Sequence, residues 1–320
     1  MTNSMSSTPP SQEGNWSGLP DPSDEASFQA YLDSVGYENA ELLSMLLMAA
    51  ESGNSALVAR LLSRCDPRGD GSRALVAAAE SGHVDCVKLL IPVSDGPALA
   101  GGAVMAAIAG RHVACVEALA RFVDPLSYGS LPLCRAAEEG FPDGVKALIP
   151  RGNPKSDDSR ALALAAIAGH EECVALLIPA SNPKAQFSTA LALAAEGGHA
   201  ACVKLLIPVS DPAARESKAL RKAARLGYCE CVTLLLPWSP EEHVLGQVAM
   251  AAMASQGPQT IEAVFSATPK RVISTWEAIA ENARSSGNTL GADILVALIE
   301  RALLAEESSN SQPSARVSRL

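Results

Sequence analysis

The chain has 320 residues, 48% of them hydrophobic, so we expect a folded protein. Aromatic residues make up only 4% of it, which favours thin layers of closely packed helices over one large core. The net charge of −10 opposes non-specific nucleic-acid binding, because such binding needs a basic surface. No apolar run is long enough to span a membrane, and the N-terminal sequence lacks the features of a secretory signal.

The composition predicts five segments in chain order. Residues 1–25 are rich in Ser and Pro, and we predict a disordered tail. Residues 26–40 are predicted to form an N-terminal capping helix. About eight helical repeats are predicted over residues 41–269. A helical C-terminal cap is predicted over residues 270–305, followed by a flexible tail at 306–320.

A period of 29 residues governs the predicted repeats. Three columns of apolar residues keep this register without insertion, which chance similarity among Ala- and Leu-rich helices would not do. The anchor column is Leu46, Leu75, Val104, Leu133, Leu162, Leu191, Leu220 and, more weakly, Ala249. The second column is Val58, Val87, Val116, Val145, Val174, Val203 and Val232. The third column is Leu61, Leu90, Leu119, Leu148, Leu177, Leu206 and Leu235.

Each unit is predicted to contain two short helices. In one unit, Leu191 and two alanines at i+3 and i+4 form the apolar stripe of the first helix. Ser188 precedes that helix, and we expect its hydroxyl to cap free N–H groups there. The equivalent serines of other units are Ser72, Ser130, Ser159 and Ser217. Gly198 is predicted to end the first helix. The second helix is predicted to end at Pro208, since proline disfavours helical geometry in the residue before it.

Paired alanines recur in the predicted first helices. Their small side chains would let adjacent first helices approach to the low end of the usual ~8–10 Å separation. The pairs lie at 49/50, 78/79, 136/137, 165/166, 194/195 and 223/224. A single unit cannot bury its apolar stripe alone, so stacking on neighbours would complete the core and produce an all-α solenoid.

The layout AL-x-x-AA-x-x-GH-x-x-CV-x-LL resembles the ankyrin-repeat family. The resemblance covers roughly residues 41–269. The family period is about 33 residues with a T-P-L-H start, whereas this chain has a period of 29 and typically an S-x-A-L start. The resemblance implies an ankyrin-like α-solenoid of helix–turn–helix repeats with short or absent β-turn fingers. It also implies a scaffold that presents a concave surface to another protein without catalysing a reaction.

A His-x-x-Cys motif recurs in the predicted second helices and could indicate a zinc site. It occurs at His83/Cys86, His112/Cys115, His170/Cys173 and His199/Cys202. Four ligands would have to come from successive units ~8–10 Å apart, but tetrahedral zinc needs ligands within ~2.0–2.3 Å of one ion. We therefore favour packing, in which His satisfies local polar groups and Cys is a small core residue. We predict no metal site and no cofactor.

The sequence contains none of the common catalytic motifs. It has no phosphate-binding glycine loop, nucleophile elbow or H-E-x-x-H. Cys229 and Cys231 would point to different faces of a helix, which argues against a redox pair. We therefore predict that the protein is not an enzyme. Reduced thiols favour a cytoplasmic location.

The candidate binding residues are those that vary while the repeat frame stays constant. They lie two and five residues after the anchor and would line the concave face. The predicted set is Glu80, Arg135, Glu138, Leu164, Ile167, Leu193, Glu196, Lys222 and Arg225. This face is predicted to grade from acidic through apolar to basic along the chain, with a partner segment lying on it.

The leading hypothesis is therefore a monomeric protein-binding scaffold that contacts neither nucleic acid nor membrane. One alternative is a bacterial effector secreted into a host cell, because the uncharged, Ser/Thr-rich N-terminus resembles an unfolded secretion leader. Another alternative is a structural or self-assembling repeat protein. The predicted C-terminal cap argues against open-ended stacking.

Overall fold

The computed structural model describes residues 20–21, 24–70, 72–94, 96–122, 130–238, 242–254, 258–267 and 273–310. The two predicted tails lie largely outside these residues. The described part of the chain is helical and contains no strand. Two compact units divide the chain, Met1–Ala161 and Leu162–Leu320.

The first unit contains the N-terminal helix and four helical hairpins. Its helices are α1 (Glu25–Val35), α2 (Asn39–Glu51), α3 (Ser55–Leu61), α4 (Arg73–Glu80), α5 (Val84–Leu90), α6 (Gly96–Ala109), α7 (Val113–Ala120), α8 (Leu131–Glu138) and α9 (Pro142–Leu148). The first helices α2, α4, α6 and α8 pack in series, and the second helices α3, α5, α7 and α9 form a parallel series beside them.

The second unit continues the same pattern. Its helices are α10 (Arg160–Ala168, which begins at the boundary), α11 (Glu171–Leu177), α12 (Ala185–Glu196), α13 (Ala200–Leu206), α14 (Ala214–Leu226), α15 (Cys229–Leu235), α16 (Glu242–Ala254), α17 (Pro258–Ala267), α18 (Ile273–Ser285) and α19 (Thr289–Asn310). Helices α12, α14, α16 and α18 pack in series, as do α11, α13, α15, α17 and α19. The predicted all-α class of stacked hairpins is confirmed within each unit.

The core of each stack lies between the first and second helices. The paired alanines predicted to allow close approach are completely buried, among them Ala78, Ala79, Ala194 and Ala195. The anchor leucines and the valine column are buried with them. Small side chains on one helix and branched ones on the other therefore fill a thin layer that contains few aromatic rings.

The helices of each hairpin end close to the glycine and proline predicted to end them. Gly198 has φ +75°, a left-handed conformation that glycine adopts without steric cost. The N–H of the next residue, His199, donates to the carbonyl of Ala194 at 3.0 Å and closes the first helix. Helix α13 ends at Leu206, two residues before Pro208.

The serines before the first helices do not act as the predicted caps where their contacts are described. Ser130 and Ser72 make no side-chain hydrogen bond to the helix that follows. Ser130 and Ser188 have φ +104° and +60°, whereas a helix cap needs extended backbone. The hydroxyl of Ser130 instead donates to the carbonyl of Asn153 at 2.6 Å, and that of Ser188 accepts from the N–H of Asp211 at 2.8 Å.

These serines therefore connect successive turns. Asn153 and Asp211 each begin the Asx-Pro turn that follows the hairpin of the serine concerned. Ser130 and Ser188 are buried, so these contacts supply the hydrogen-bond partners that their buried hydroxyls need. In these two repeats the contact ties the turn before the first helix to the turn after the second helix.

Helices also lie at both ends of the repeat array. In the first unit, α1 buries Phe28 and Leu32. In the second, the rings of Trp276 on α18 and Phe265 on α17 meet edge to face with centroids 5.3 Å apart. The amide of Asn288, just before α19, donates to the carbonyl of Met253 at 2.8 Å. These contacts suit the predicted capping roles, which remain predictions.

Candidate binding surface

The predicted site residues occupy two positions on the first helices. In the first unit these are Glu80 on α4 and Arg135 and Glu138 on α8. In the second they are Leu164 and Ile167 on α10, Leu193 and Glu196 on α12, and Lys222 and Arg225 on α14. All nine side chains are at least partly exposed. We call the six in the second unit the first-helix face.

The charged residues of the first unit are largely paired along their own helix. On α8, Nε of Arg135 lies 2.7 Å from Oε1 of Glu139, and its Nη1 lies 3.6 Å from Oε2 of Glu138. Such exposed pairs contribute only about 0.3–0.5 kcal/mol each. Glu80 is exposed at the end of α4. The charge of Arg135 is thus balanced within its own helix, and Glu80 is a separate exposed acidic side chain.

The first-helix face combines apolar and charged groups. Ile167 is 40% exposed, while Leu164 and Leu193 are half-buried. Beyond them, Lys222 on α14 forms an ion pair with Glu196 on α12. Since α12 and α14 pack side by side, this pair bridges adjacent repeats at the position where the face changes from apolar to basic.

A basic cleft lies between α14 and α16. It has a volume of about 350 Å³ and is lined by Lys218, Arg221, Lys222, Arg225, Gln247 and Ala251. The four cations follow i, i+3, i+4, i+7 spacing and therefore share one face of α14. That spacing identifies the basic side of the cleft from sequence. No sequence signal selects Gln247 or Ala251, because they come from the neighbouring helix.

Comparison with models of protein families shows to which family the chain belongs. A family model described as ankyrin repeats, in three copies, matches residues 46–125 and 162–244, just over half of the chain. The chain belongs to the ankyrin-repeat family. No curated protein matches it.

The fold comparison finds an ankyrin-repeat domain among solved structures. The crystal structure of the human ASB11 ankyrin repeat domain matches with a TM-score of 0.42 and 20% sequence identity. The match covers 70% of this chain and 97% of that domain. Ankyrin repeats as a class mediate protein–protein interaction through the surface formed by successive repeats.

The repeat histidines link one ankyrin repeat to the preceding one. Nε2 of His83 lies 2.9 Å from the carbonyl oxygen of Glu51, the last residue of α2. His112 makes the same contact with Glu80, and His199 with Ile167, both at 2.9 Å. Each ring thus provides a hydrogen-bond partner for a backbone carbonyl at the end of a first helix, which would otherwise be unpaired. The predicted polar role of these histidines is supported, but their partners lie one repeat away.

One ankyrin-repeat boundary reverses this arrangement. Arg111 stands where most other repeats have the positive-φ glycine, and Phe141 stands where most have histidine. Arg111 donates to the carbonyls of Glu139 at 2.7 Å and Gly140 at 3.2 Å, in the next repeat. Its guanidinium carbon lies 5.8 Å from the centre of the Phe141 ring. Here the earlier repeat supplies the donor to the later one.

The Phe141 ring also explains a second departure from the repeat pattern. Phe141 is 4% exposed, and a Cβ atom at Gly144 would collide with its ring. Gly144 stands in the column that holds cysteine in most other repeats. Both substitutions therefore occur in the same repeat. The structure shows that they form one compensated pair.

The cysteines of the ankyrin repeats are core residues. Of the eight, only Cys229 is not buried. Burial raises the pKa of Cys65, Cys202 and Cys231 to about 11, so these thiols stay protonated and unreactive near neutral pH. Within the described ranges, no group of three or more His, Cys, Asp and Glu side chains could hold a metal ion. The same part of the chain has no helix long and apolar enough to cross a membrane.

Proposed function

We propose that this ankyrin-repeat protein is a non-catalytic scaffold that binds a partner protein through its first-helix face. The observation that carries the proposal is the exposed Ile167 beside half-buried Leu164 and Leu193, bordered by Lys222 and Arg225. The corresponding first-unit residues, Glu80, Arg135 and Glu138, belong to the proposal as a separate charged surface.

The apolar part of the face suits a binding role. Single exposed apolar residues are common on proteins and need no explanation. Leu164 and Leu193, however, occupy the same position in successive repeats, and Ile167 lies one helical turn beyond Leu164. An apolar patch rimmed by charge is typical of an interaction site, in which the charges set orientation more than affinity.

The rigidity of the face supports the same proposal. The carbonyl of Ile167 is held by the ring of His199, and Glu196 is held by Lys222. The surface is therefore presented by helices that are already fixed before binding. Preorganisation of this kind reduces the entropic cost of ordering an interface.

The absence of an enzymatic role belongs to the proposal as well. Buried thiols with raised pKa values are poor nucleophiles. The histidine rings His83, His112 and His199 are engaged with backbone carbonyls. Both observations favour structural use of the residues that would otherwise suggest catalysis.

The test is a triple substitution of Leu164, Ile167 and Leu193 by alanine. Affinity capture with mass spectrometry should find partners of the unmodified chain that the triple variant no longer retains, while circular dichroism remains helical. The loss should exceed tenfold in affinity, because truncating anchors in an interface centre commonly costs about 2 kcal/mol or more.

A matched control comes from the second helices of the same unit. Leu176, Leu205 and Leu234 are also half-buried leucines in equivalent positions of successive repeats. Their replacement by alanine should leave partner capture unchanged. If the control variant loses the partner and the first-helix variant keeps it, the binding surface is on the other side of the repeats.

A further inference from the structure

We propose that the basic cleft between α14 and α16 binds the carboxylates of an acidic peptide segment in the partner protein. This inference rests on the proposed function and specifies the partner's chemistry. The bound segment would place apolar side chains on Leu193 and Ile167 and its acidic side chains in the cleft.

The charge of α14 is exceptional in this chain. The helix carries five basic residues and one acidic residue, Glu216, although the whole protein has a net charge of −10. Four of the five cations line the cleft together, and no acidic side chain is among the described residues that line it. Like charges at i, i+3 and i+4 destabilise a helix by a few tenths of a kcal/mol per pair. Their concentration on one face therefore opposes helix stability and calls for a function.

The structure does not neutralise this charge fully. Lys222 is paired with Glu196, and Arg221 has Glu216 at 3.9 Å. In the described part of the chain, Lys218 and Arg225 have neither a hydrogen-bond partner nor an ion-pair partner. Two cleft-lining cations, seven residues apart on α14, are thus available to an anionic ligand.

Arg221 lies between these two cations and is held in place. Its Nη1 donates to Oε1 of Gln247 at 3.0 Å, and its Nη2 donates to the carbonyl of Arg215 at 2.9 Å. Its Nε is buried and has no hydrogen-bond partner among the described residues. Each Nη atom has a second N–H beyond these hydrogen bonds, and the side chain is partly exposed. A guanidinium held in one orientation with Nη donors left over is suited to a carboxylate.

The position of the cleft specifies a peptide with two parts. Lys222 and Ala251 line the cleft from α14 and α16, and Leu193 holds the same position in the preceding repeat on α12. Because α12, α14 and α16 pack in series, the apolar positions lead directly to the basic ones. An apolar segment followed by glutamates or aspartates complements this order in charge and polarity.

Fluorescence anisotropy with defined peptides tests the proposal on the full chain. The probe is a short fluorescein-labelled peptide with leucines followed by a run of glutamates, and its comparison peptide has glutamines in their place. The glutamate peptide should bind at least tenfold more tightly, a difference of about 1.4 kcal/mol. Its affinity should fall as NaCl rises, because exposed charges are screened by salt.

Two variants locate the binding to the cleft. Lys218→Gln with Arg225→Gln removes the two unpaired cations and should weaken the glutamate peptide about tenfold. Lys184→Gln with Lys204→Gln removes the same charge from exposed positions on the turn before α12 and on α13. This control should change binding less than twofold. Equal binding by the cleft variant and the unmodified chain would overturn the proposal.

A third variant changes the affinity in the opposite direction. Glu196→Gln frees Lys222 from its ion pair and should tighten the glutamate peptide severalfold, because one competing carboxylate is removed. A purely structural role for the basic residues would predict no gain in affinity for the glutamate peptide. Unchanged or weaker binding by this variant contradicts the inference.

Further binding experiments distinguish this inference from the proposed function and test whether the cleft prefers another kind of anion. Replacing the glutamates by phosphoserines tests whether phosphate is preferred, and a single-stranded oligonucleotide tests nucleic acid. If the oligonucleotide binds tightly and the glutamate peptide does not bind, the inference is overturned. If the glutamate peptide fails while the Leu164/Ile167/Leu193 variant still loses its captured partner, the acidic-peptide inference is wrong and the proposed function stands.

Discussion

Glycine and histidine at the repeat boundaries depend on each other. Gly53 has φ +74°, so any side chain there would be strained by the backbone alone. A Cβ at this position would also lie 2.5 Å from Nδ1 of His83 in the next repeat. The His83 ring cannot move away without losing its bond to the carbonyl of Glu51. Glycine is therefore required by backbone geometry and by a neighbour in space.

A comparison of Gly53→Ala with Gly36→Ala separates the two requirements. Gly36 also has a positive φ, +69°, but no atom lies within 4 Å of its missing Cβ. Gly36→Ala should cost about 1–2 kcal/mol of unfolding free energy from left-handed strain. Gly53→Ala should cost a further ~1–3 kcal/mol from overpacking. Urea unfolding measures both.

The additional loss at Gly53 should disappear when the ring is removed. In a His83→Ala background, Gly53→Ala should cost no more than Gly36→Ala does in the unmodified chain. If the two glycine variants lower the unfolding free energy of the unmodified chain equally, the His83 ring moves aside without a measurable cost.

At the scale of single elements, the junction of the third and fourth repeats shows how a repeat array tolerates divergence. Arg111 adopts φ +57° in place of glycine and is held there by its hydrogen bonds to Glu139 and Gly140. Phe141 replaces histidine, and Gly144 makes room for its ring. Three substitutions together preserve a link between hairpins, although the donor now comes from the other side.

Arg111→Met tests the strength of this link. Methionine keeps most of the aliphatic stem but removes both hydrogen bonds and the contact of the cation with the Phe141 ring. We expect the unfolding free energy to fall by about 1–2 kcal/mol in urea denaturation. Arg121→Met is the control, since Arg121 is exposed at the end of α7, and its effect should stay within about 0.5 kcal/mol.

Across the whole molecule, cysteine is a recurring core residue of the second helices. Cys86, Cys115, Cys173, Cys202 and Cys231 hold the same position in their repeats and are all buried. Burial raises the pKa of the Cys202 and Cys231 thiols, and of the separate Cys65 thiol, from 9.0 to about 11. The core therefore depends on thiols that remain neutral.

Stability should accordingly decline in alkali. Below about pH 9 the thiols are protonated in both folded and unfolded chains, and their contribution is complete. Between pH 9 and 11 the unfolded chain loses protons that the folded chain keeps, so the unfolding free energy falls. Each thiol contributes at most about 3 kcal/mol to this fall.

Urea unfolding at pH 8 and pH 10.5 measures the decline. Cys202→Ala should show a smaller difference between the two pH values than the unmodified chain, whatever its absolute stability. An identical difference in both proteins would mean that Cys202 does not titrate differently in the folded and unfolded chains.

The sequence by itself determined the repeat architecture. Leucine, valine and alanine at fixed positions in a 29-residue period specify two amphipathic helices per unit, and glycine and proline set their ends. These are local rules, so they can be read along the chain. The four cations of the cleft could be placed on one face of α14 for the same reason.

Only the tertiary structure decided which groups meet across repeats. Ser130 was predicted to cap its own helix but bonds to the following turn, because its left-handed backbone prevents capping. His83 reaches Glu51, Arg111 supports the end of α8, and Gln247 fixes Arg221, all between residues 26 to 32 positions apart. Such contacts depend on the distance and rotation between stacked hairpins, which no single repeat contains.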